Sequence, residues 1–481
     1  MYERIKELLR HSAVYGFGTL VARVLGVLLL PLYTRYLTRE DYGQIEVLIA
    51  LTAVLATLAQ VGMKGAFFRF YFDDRDPAYR VRVVRTAFWF TMASSTAVLV
   101  AGLALAGEIS TLLFDTSEHA GLVRASFVGL WAAMNYEQMG SLFRVEQRPV
   151  GFVTATLANV AITIAATVVL LVVFDQGAMG VIVGSFTGTL TVYAVLLVYR
   201  RFQLGLQFDR ALLREMNRFG LPLMPSGLFL WGMSFSDRFF LVKLAGEAEV
   251  GLYSIGVRLA SAILLVVTAF RTAWPAFAHA IEDDEEARRT YGFVMTYVVY
   301  VTCWAALGLS LLAPWLLRLM TTPRFYAAEN VVAPLAFAGA AFAAYVVSQI
   351  GTHRARLTRS NWLVTGAGVV ANVALNVALI PPFERMGAAV ATLVTYTTIF
   401  VLMAWRAQRV YHVPYQWRRI VQIVAVAVGL TVLGKVLDVP LAVALALAAA
   451  YPLVLVPLGF YLPVERRRLR LAAGRVLPLV R

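Results

Sequence analysis

Residues 46–64 read EVLIALTAVLATLAQVGMK, and residues 254–272 read SIGVRLASAILLVVTAFRT. Each is a mainly apolar run of about 20 residues, the length that crosses a bilayer's hydrocarbon core as a helix. In the first, Glu46, Ala50, Ala53, Thr57, Gln60 and Lys64 follow a 4-3-4-3-4 spacing, which is one face of a helix. In the second, Ser254, Arg258, Ser261, Leu265, Thr268 and Thr272 do the same, and each lies 208 residues after its counterpart. A polar stripe on an apolar helix, used twice, predicts a membrane protein built from a repeat.

Other anchors carry the repeat outward. Gly43 and Gly251 are also 208 residues apart, with Arg35 and Lys243 eight residues before them. Ala158-Asn159-Val160 returns as Ala371-Asn372-Val373 at an offset of 213, and Gly180 and Gly387 open helices at an offset of 207. Such repeats are common in secondary transporters, whose substrate site lies between the halves. The expected organisation is an N-terminal six-helix half (1–200), a second six-helix half (201–410), and two extra helices with a basic tail (411–481).

Composition supports lipid as the solvent. Of 481 residues, 60% are hydrophobic and 15% charged, and the mean hydropathy is +0.72. A soluble chain is nearer 45–50% apolar and 25% charged, so a soluble enzyme is excluded. Apolar runs predict about fourteen helices, with cores near 12–32, 45–67, 86–107, 121–143, 150–174, 178–199, 219–242, 250–275, 291–313, 326–349, 361–380, 387–405, 420–437 and 440–462. The fold class is therefore all-α integral membrane. Cys303 is the single cysteine, and the five histidines form no ligand pair. No disulfide framework, metal site or cofactor is expected.

The net charge of +15 would suggest nucleic acid in a soluble domain. Here the basic residues follow the membrane instead. With the N-terminus in the cytoplasm, thirty lysines and arginines fall in cytoplasmic segments and seven in outside connections. That bias sets the orientation and places both termini inside. No connection is long enough for a catalytic domain. Short resemblances to nucleotide-binding motifs, such as Gly429 to Lys435, lie inside spans and lack the strand–loop–helix context.

Six basic residues remain within spans: Arg23, Lys64, Arg124, Arg238, Arg258 and Arg271. The acids there are Glu46, Glu137 and Asp237. Each costs at least about 2.5 kcal/mol at mid-membrane unless it faces a cavity or a partner. Arg23 lies about 18–20 Å along its helix from either flanking arginine, too far to snorkel. Arg258 lies about 13 Å in from Glu249. Arg23, Arg258, Lys64, Arg238 and Gln60 are the candidate ligands for an anionic substrate, since arginine suits phosphate through its fork of donors. Trp231 offers a face for sugars. Glu46, Asp237 and Glu137 are the candidates for coupling a proton or sodium ion.

Several stretches resemble a known family. The run with Gly18, Arg23, Gly26, Pro31-Leu32, Arg35, Leu37, Tyr42 and Gly43 resembles the opening of polysaccharide transporters, the Wzx-type flippases of the multidrug/oligosaccharidyl-lipid/polysaccharide superfamily. Phe219-Gly220-Leu221-Pro222-Leu223, Pro225, Trp231, Asp237-Arg238 and Gly251 resemble the opening of that family's second half. Asn372, Asn376, Pro381, Gly387-Ala388-Ala389 and Ala391-Thr392 resemble its helix 11–12 signature. The resemblance implies two six-helix bundles around a central cavity and export of undecaprenyl-pyrophosphate-linked oligosaccharide. The implied partners are that substrate, membrane lipid and polysaccharide polymerases or glycosyltransferases. The two extra helices resemble fourteen-span members, which include lipid II flippases. A multidrug or cation antiporter of the same fold should instead have a cavity dominated by acids. A membrane polymerase or ligase should have a large catalytic outer loop.

The orientation is open to a direct check. Cysteines at Ser117 and Glu247 should react with an impermeant thiol reagent added outside, and those at Arg75 or Arg210 should not. Outside labelling at position 75 would reverse the assigned direction of transport.

Overall fold

The structure, a computed structural model, describes residues 29–201, 204–357, 361–463 and 465. Among these the regular structure is helical. By packing, the chain divides into two units. One comprises residues 1–254, 320–325 and 376–385, and the other residues 255–319, 326–375 and 386–481.

Among the described residues, the first unit begins with the short helix α1 (Leu30–Tyr36) and the long helix α2 (Arg39–Gln60). Thr38 starts α2 as an N-cap: its hydroxyl accepts from Asp41 N, and the Asp41 carboxylate accepts from Thr38 N, each at 3.0 Å. This reciprocal pair satisfies two orphan amides of the first turn. α2 ends at Val61 and Gly62, whose φ angles are 47° and 69°. A new helix, α3 (Met63–Asp73), follows. The stripe read as continuous from Glu46 to Lys64 is thus broken between Gln60 and Lys64. Two left-handed residues stop the helix, and glycine makes the second inexpensive.

α4 (Pro77–Ala104), α5 (Ala106–Phe114), α6 (Ala120–Val145), α7 (Pro149–Val168, continued by a wider turn to Val173) and α8 (Gly177–Arg200) complete the first half of the repeat. Asn159 on α7 and Thr189 on α8 lie 3.4 Å apart, side chain to side chain. In the other unit Asn372 donates to Thr395 at 3.4 Å. Both asparagines of the repeat therefore tie their helix to a threonine of the next one.

The connector after Arg200 is more ordered than a basic loop. Asp209 accepts from Ala211 N and Leu212 N, both at 3.0 Å, and caps α9 (Arg210–Gly220). Leu212 and Met216 on its apolar face bury themselves among Met63, Phe67, Val83 and Leu142. Arg210, Arg214 and Arg218 stay on the exposed face. Four-residue spacing of both sets makes the helix amphipathic.

α10 (Met224–Leu244) and α11 (Glu247–Ala260) open the second half. α11 meets α12 (Ala262–Ala280) at a 44° bend, so the second stripe is also interrupted, at Ser261. The second unit adds α13 (Asp284–Met320), α14 (Glu329–Ser348), α15 (Ile350–Arg354), α16 (Asn361–Val410), α17 (Trp417–Val436) and α18 (Leu441–Val454). Its core joins Trp274, Tyr291, Cys303, Leu311, Ala344, Ile423 and Tyr451. Arg354 and Tyr411 both reach the Asp284 carboxylate. Burial, with help from Asp284, pushes the Tyr411 hydroxyl up to about 12, so it stays a donor at neutral pH.

Eight helical stretches among the described residues are long and apolar enough to cross a membrane, or nine if the bent pair is one span. The two spans expected at 361–380 and 387–405 both fall in α16, whose two helical parts meet at Glu384. An unbroken helix of its 50 residues would reach about 75 Å, far beyond a 30 Å hydrocarbon core. Glu384, at φ 48° and ψ −131°, interrupts it beyond Pro381 and Pro382, which lack the amide donors a continuous helix needs. The first expected span falls mostly outside the described residues.

α2 and α11 cross at their first turns, and the crossing is reciprocal. A Cβ on Gly43 would stand 2.0 Å from the Glu247 carbonyl oxygen, and one on Gly251 would stand 2.2 Å from that of Arg39. Glycine is required at both because the obstacle is backbone. Gly43→Val or Gly251→Val should therefore lower stability by about 1–3 kcal/mol or more, as overpacking does. Gly308→Ala, where nothing stands within 4 Å, should be neutral or stabilising. Thermal unfolding in detergent separates them; equal midpoints for all three variants would contradict the crossing.

Candidate functional site

The polar stripe of α2 is met by three other helices of the same unit. Near the crossing, Glu46 accepts from Arg238 Nε of α10 at 3.2 Å. Both side chains are buried, at 7% and 5% exposure. Arg238 also donates to the Ser234 carbonyl at 3.1 Å and lies over the Phe235 ring. The neighbouring Asp237 accepts from the Tyr253 hydroxyl of α11. One turn further along α2, Trp231 Nε1 of α10 donates to the Ala50 carbonyl at 2.9 Å. The indole nitrogen is thus engaged with backbone, and the ring packs against Phe239 at 5.8 Å.

At the other end of α2 the break changes what the stripe can reach. Lys64, in the first turn of α3, pairs through Nζ with Glu137 Oε1 on α6. Gln60 Nε2 donates to the second oxygen, Oε2, at 3.3 Å. Here the exposures are 47% for Lys64 and 42% for Glu137. Glu137 lies eight residues from the end of α6 and Lys64 nine from the end of α3, about 12–14 Å along each helix. A half-exposed charged pair at that depth needs water around it.

The structure therefore gathers Glu46, Arg238, Trp231, Asp237, Gln60, Lys64 and Glu137 around α2 in one unit. Arg258 is half-buried on α11, in the other unit, where its carbonyl accepts from Ser261 Oγ at 2.6 Å. Arg23 lies outside the described residues. Among the described residues no group of three or more His, Cys, Asp or Glu side chains is placed to hold a metal.

A second polar group surrounds the glycine crossing, and sequence reading proposed a functional role for none of its side chains. Gln44 Nε2 donates to Glu247 Oε2 at 2.7 Å, and His119 Nε2 stands 3.7 Å from Glu247 Oε1. Arg385 holds both oxygens of Glu249 at 2.8 and 2.7 Å. Arg39 Nε donates to the Arg324 carbonyl at 2.5 Å, and Thr322 Oγ1 to that of Thr34 at 2.8 Å. Lys243 pairs with Asp115 at 2.7 Å. The one sequence signal was the repeat itself: Arg39 and Glu247 each precede their glycine by four residues, one helical turn.

Long apolar helices that carry charged pairs, some of them broken part-way along, are features of a membrane transporter, and comparison with solved structures agrees. Over 93% of its length the chain is similar to 99% of a lipid II flippase, MurJ, in an inward closed conformation, with a TM-score of 0.75 and 11% identity. It is similar over 83% of its length to 95% of an inward-facing multidrug resistance MATE transporter of the MOP superfamily (TM-score 0.68, 13% identity). A MOP superfamily transporter from Pyrococcus furiosus, whose binding pocket is described as reversed in polarity, matches over 84% of this chain and 95% of its own (TM-score 0.57, 15% identity). At such identities the likeness shows the fold, which is that of the MurJ and MATE transporters. The profile of the family described as "Polysaccharide biosynthesis protein" matches residues 32–330, more than half of the chain, and the chain belongs to that family. Among curated protein sequences there is no match.

The buried pair makes a sharp energetic prediction. Removing one partner strands the other charge and should cost about 3–5 kcal/mol, whereas replacing both with apolar residues should be nearly neutral. Arg238→Met and Glu46→Leu should each depress the thermal midpoint strongly, and the double variant should recover most of the loss. An additive double variant would show that the two side chains act separately.

Proposed function

We propose that this chain is a flippase that moves an anionic, undecaprenyl-pyrophosphate-linked oligosaccharide from the inner to the outer leaflet by alternating access, and is not an enzyme. The observation that carries the reading is the excess of bases over acids at membrane depth. The expected spans hold six lysines and arginines against three carboxylates, and Lys64 is half-exposed. A wet, cationic path selects an anion, and a carrier of cations would need the reverse balance. Membership of a polysaccharide biosynthesis family supports a glycan as the cargo.

In this reading Arg23 and Arg258 hold the pyrophosphate, Lys64 and Gln60 take further oxygens, and the lipid tail stays in the bilayer. Arg238 and Trp231 shape the path while their polar atoms are held by Glu46 and Ala50. The two halves of the repeat, 1–200 and 201–410, rock against each other, and 411–481 extends the second half. The chain sits in a bacterial or archaeal plasma membrane with both termini in the cytoplasm. The glycine crossing and the hydrogen bonds around it then lie at the outer end and separate when the path opens outward. An inside-negative potential drives an anionic head group outward by about 2.3 kcal/mol per charge per 100 mV. Glu46, Asp237 and Glu137 are the acids available for coupling to an ion. Glycosyltransferases supply the substrate and a polymerase consumes it.

Arg258→Ala and Arg23→Ala should each sharply reduce the lipid-linked glycan reaching the outer leaflet, at unchanged protein level in the membrane. Lysine at either position should rescue in part, since it keeps the charge and loses the fork. Glycan on each membrane face, quantified after depletion of the wild-type protein, measures this. Normal export by both alanine variants would remove the anionic-substrate reading.

A further inference from the structure

The two ion pairs on the α2 stripe differ in a way that assigns them different work. Arg238–Glu46 is almost wholly buried, and its arginine has a second acceptor in Ser234. Breaking it strands a charge in a dry place. Lys64–Glu137 is nearly half-exposed on both sides. A solvated pair contributes only about 0–1 kcal/mol, so a competing anion exchanges it at little cost.

The donors around Glu137 are those that a phosphate group would use. An ammonium holds one carboxylate oxygen and a carboxamide N–H holds the other. Two oxygens on one centre, one met by a charged donor and one by a neutral donor, describes a carboxylate here and a phosphoryl group equally well. Both donors sit on adjacent segments, Gln60 at the end of α2 and Lys64 just past the left-handed turn at Val61 and Gly62. Their spacing is thus set by the break, whichever anion they hold.

We propose that Glu137 is an internal stand-in for the substrate's phosphate: it occupies Lys64 and Gln60 when the path is empty, and the anionic head group displaces it. The inference rests on the anionic-substrate reading above and adds a role within it. In the empty protein Glu137 neutralises Lys64, so the path carries less unbalanced charge in the absence of cargo. Any anion that binds there must be a better ligand than a tethered carboxylate. Neutral or weakly charged head groups fail that competition, so the pair acts as a specificity filter.

Binding of inorganic pyrophosphate, and separately of a ten-carbon isoprenyl pyrophosphate, to the full chain in nanodiscs tests this. Glu137→Gln keeps the size of the side chain and removes the competitor, so both probes should bind roughly tenfold more tightly. Lys64→Gln should weaken both, and the double variant should match Lys64→Gln alone. Glu137→Ala serves the same arm if the glutamine variant is unstable. Unchanged or weaker binding by both Glu137 variants would overturn the inference. If Arg258→Gln weakens binding while Lys64→Gln and Glu137→Gln leave it at the wild-type value, the anionic reading stands and this inference alone falls. If the wild-type chain binds neither probe, the anionic reading falls and takes the inference with it.

Discussion

The arrangement of the polar stripe depends on one close approach, the crossing of α2 and α11 at Gly43 and Gly251. Each helix puts the carbonyl of its first residue where the other's glycine lacks a side chain. Backbone against backbone leaves no room for adjustment, so the register of the helices is fixed to within a fraction of a turn. Given that register, Glu46 lies one turn below the crossing and meets Arg238. Ala50 then presents its carbonyl to Trp231. The electrostatics of the stripe therefore follow from a steric constraint at its end. Small residues are the usual means of bringing helices together in lipid, where no hydrophobic force favours helix over lipid.

On the proposed function, the polar contacts around the crossing are ones that water can replace. Its rim is made of Gln44, His119, Glu247, Glu249 and Arg385, each able to trade a protein partner for water. An apolar rim would resist wetting, and a fully buried ionic one would leave stranded charges on separation. The Arg238–Glu46 pair below it has the opposite character: it is almost wholly buried and binds α10 to α2, so parting it would strand both charges.

The sequence made the α2 stripe legible, because helical period and an intramembrane charge both survive as simple spacing. The repeat was legible for the same reason: Gly43 and Gly251, or Asn159 and Asn372, keep their offset. The break at Val61–Gly62 was not. An apolar run reads straight through it, and the left-handed turn depends on packing: a Cβ at Gly62 would stand 2.1 Å from the Gly220 carbonyl. Glu137 was recognisable as an intramembrane acid, yet its partner sits 73 residues away, beyond any local pattern. The α9 helix hid behind its arginines, since a basic connector and the polar face of an amphipathic helix have the same composition. Glu247 and Glu249 read as ordinary residues of a helix start, where acids favour the dipole, and nothing local marks their contacts with Gln44 and Arg385.

The repeat duplicates the backbone crossing but not the charges. At the constant offset of 208, Glu46 corresponds to Ser254, Gln60 to Thr268, Lys64 to Thr272, and Arg258 to Ala50. Every charged position on one stripe corresponds to a neutral one on the other. Two equal halves can share a hinge, since a crossing needs only matching shapes. Matching charges, however, would offer an anionic group two equivalent seats, one on each half of the repeat. Unequal charges remove that degeneracy. On the proposed function the head group carries its pyrophosphate at one end and its sugars at the other, so a single seat for the pyrophosphate also decides on which side the sugars lie. Divergence of the stripes from a shared backbone supplies that single seat without altering the two glycines of the crossing.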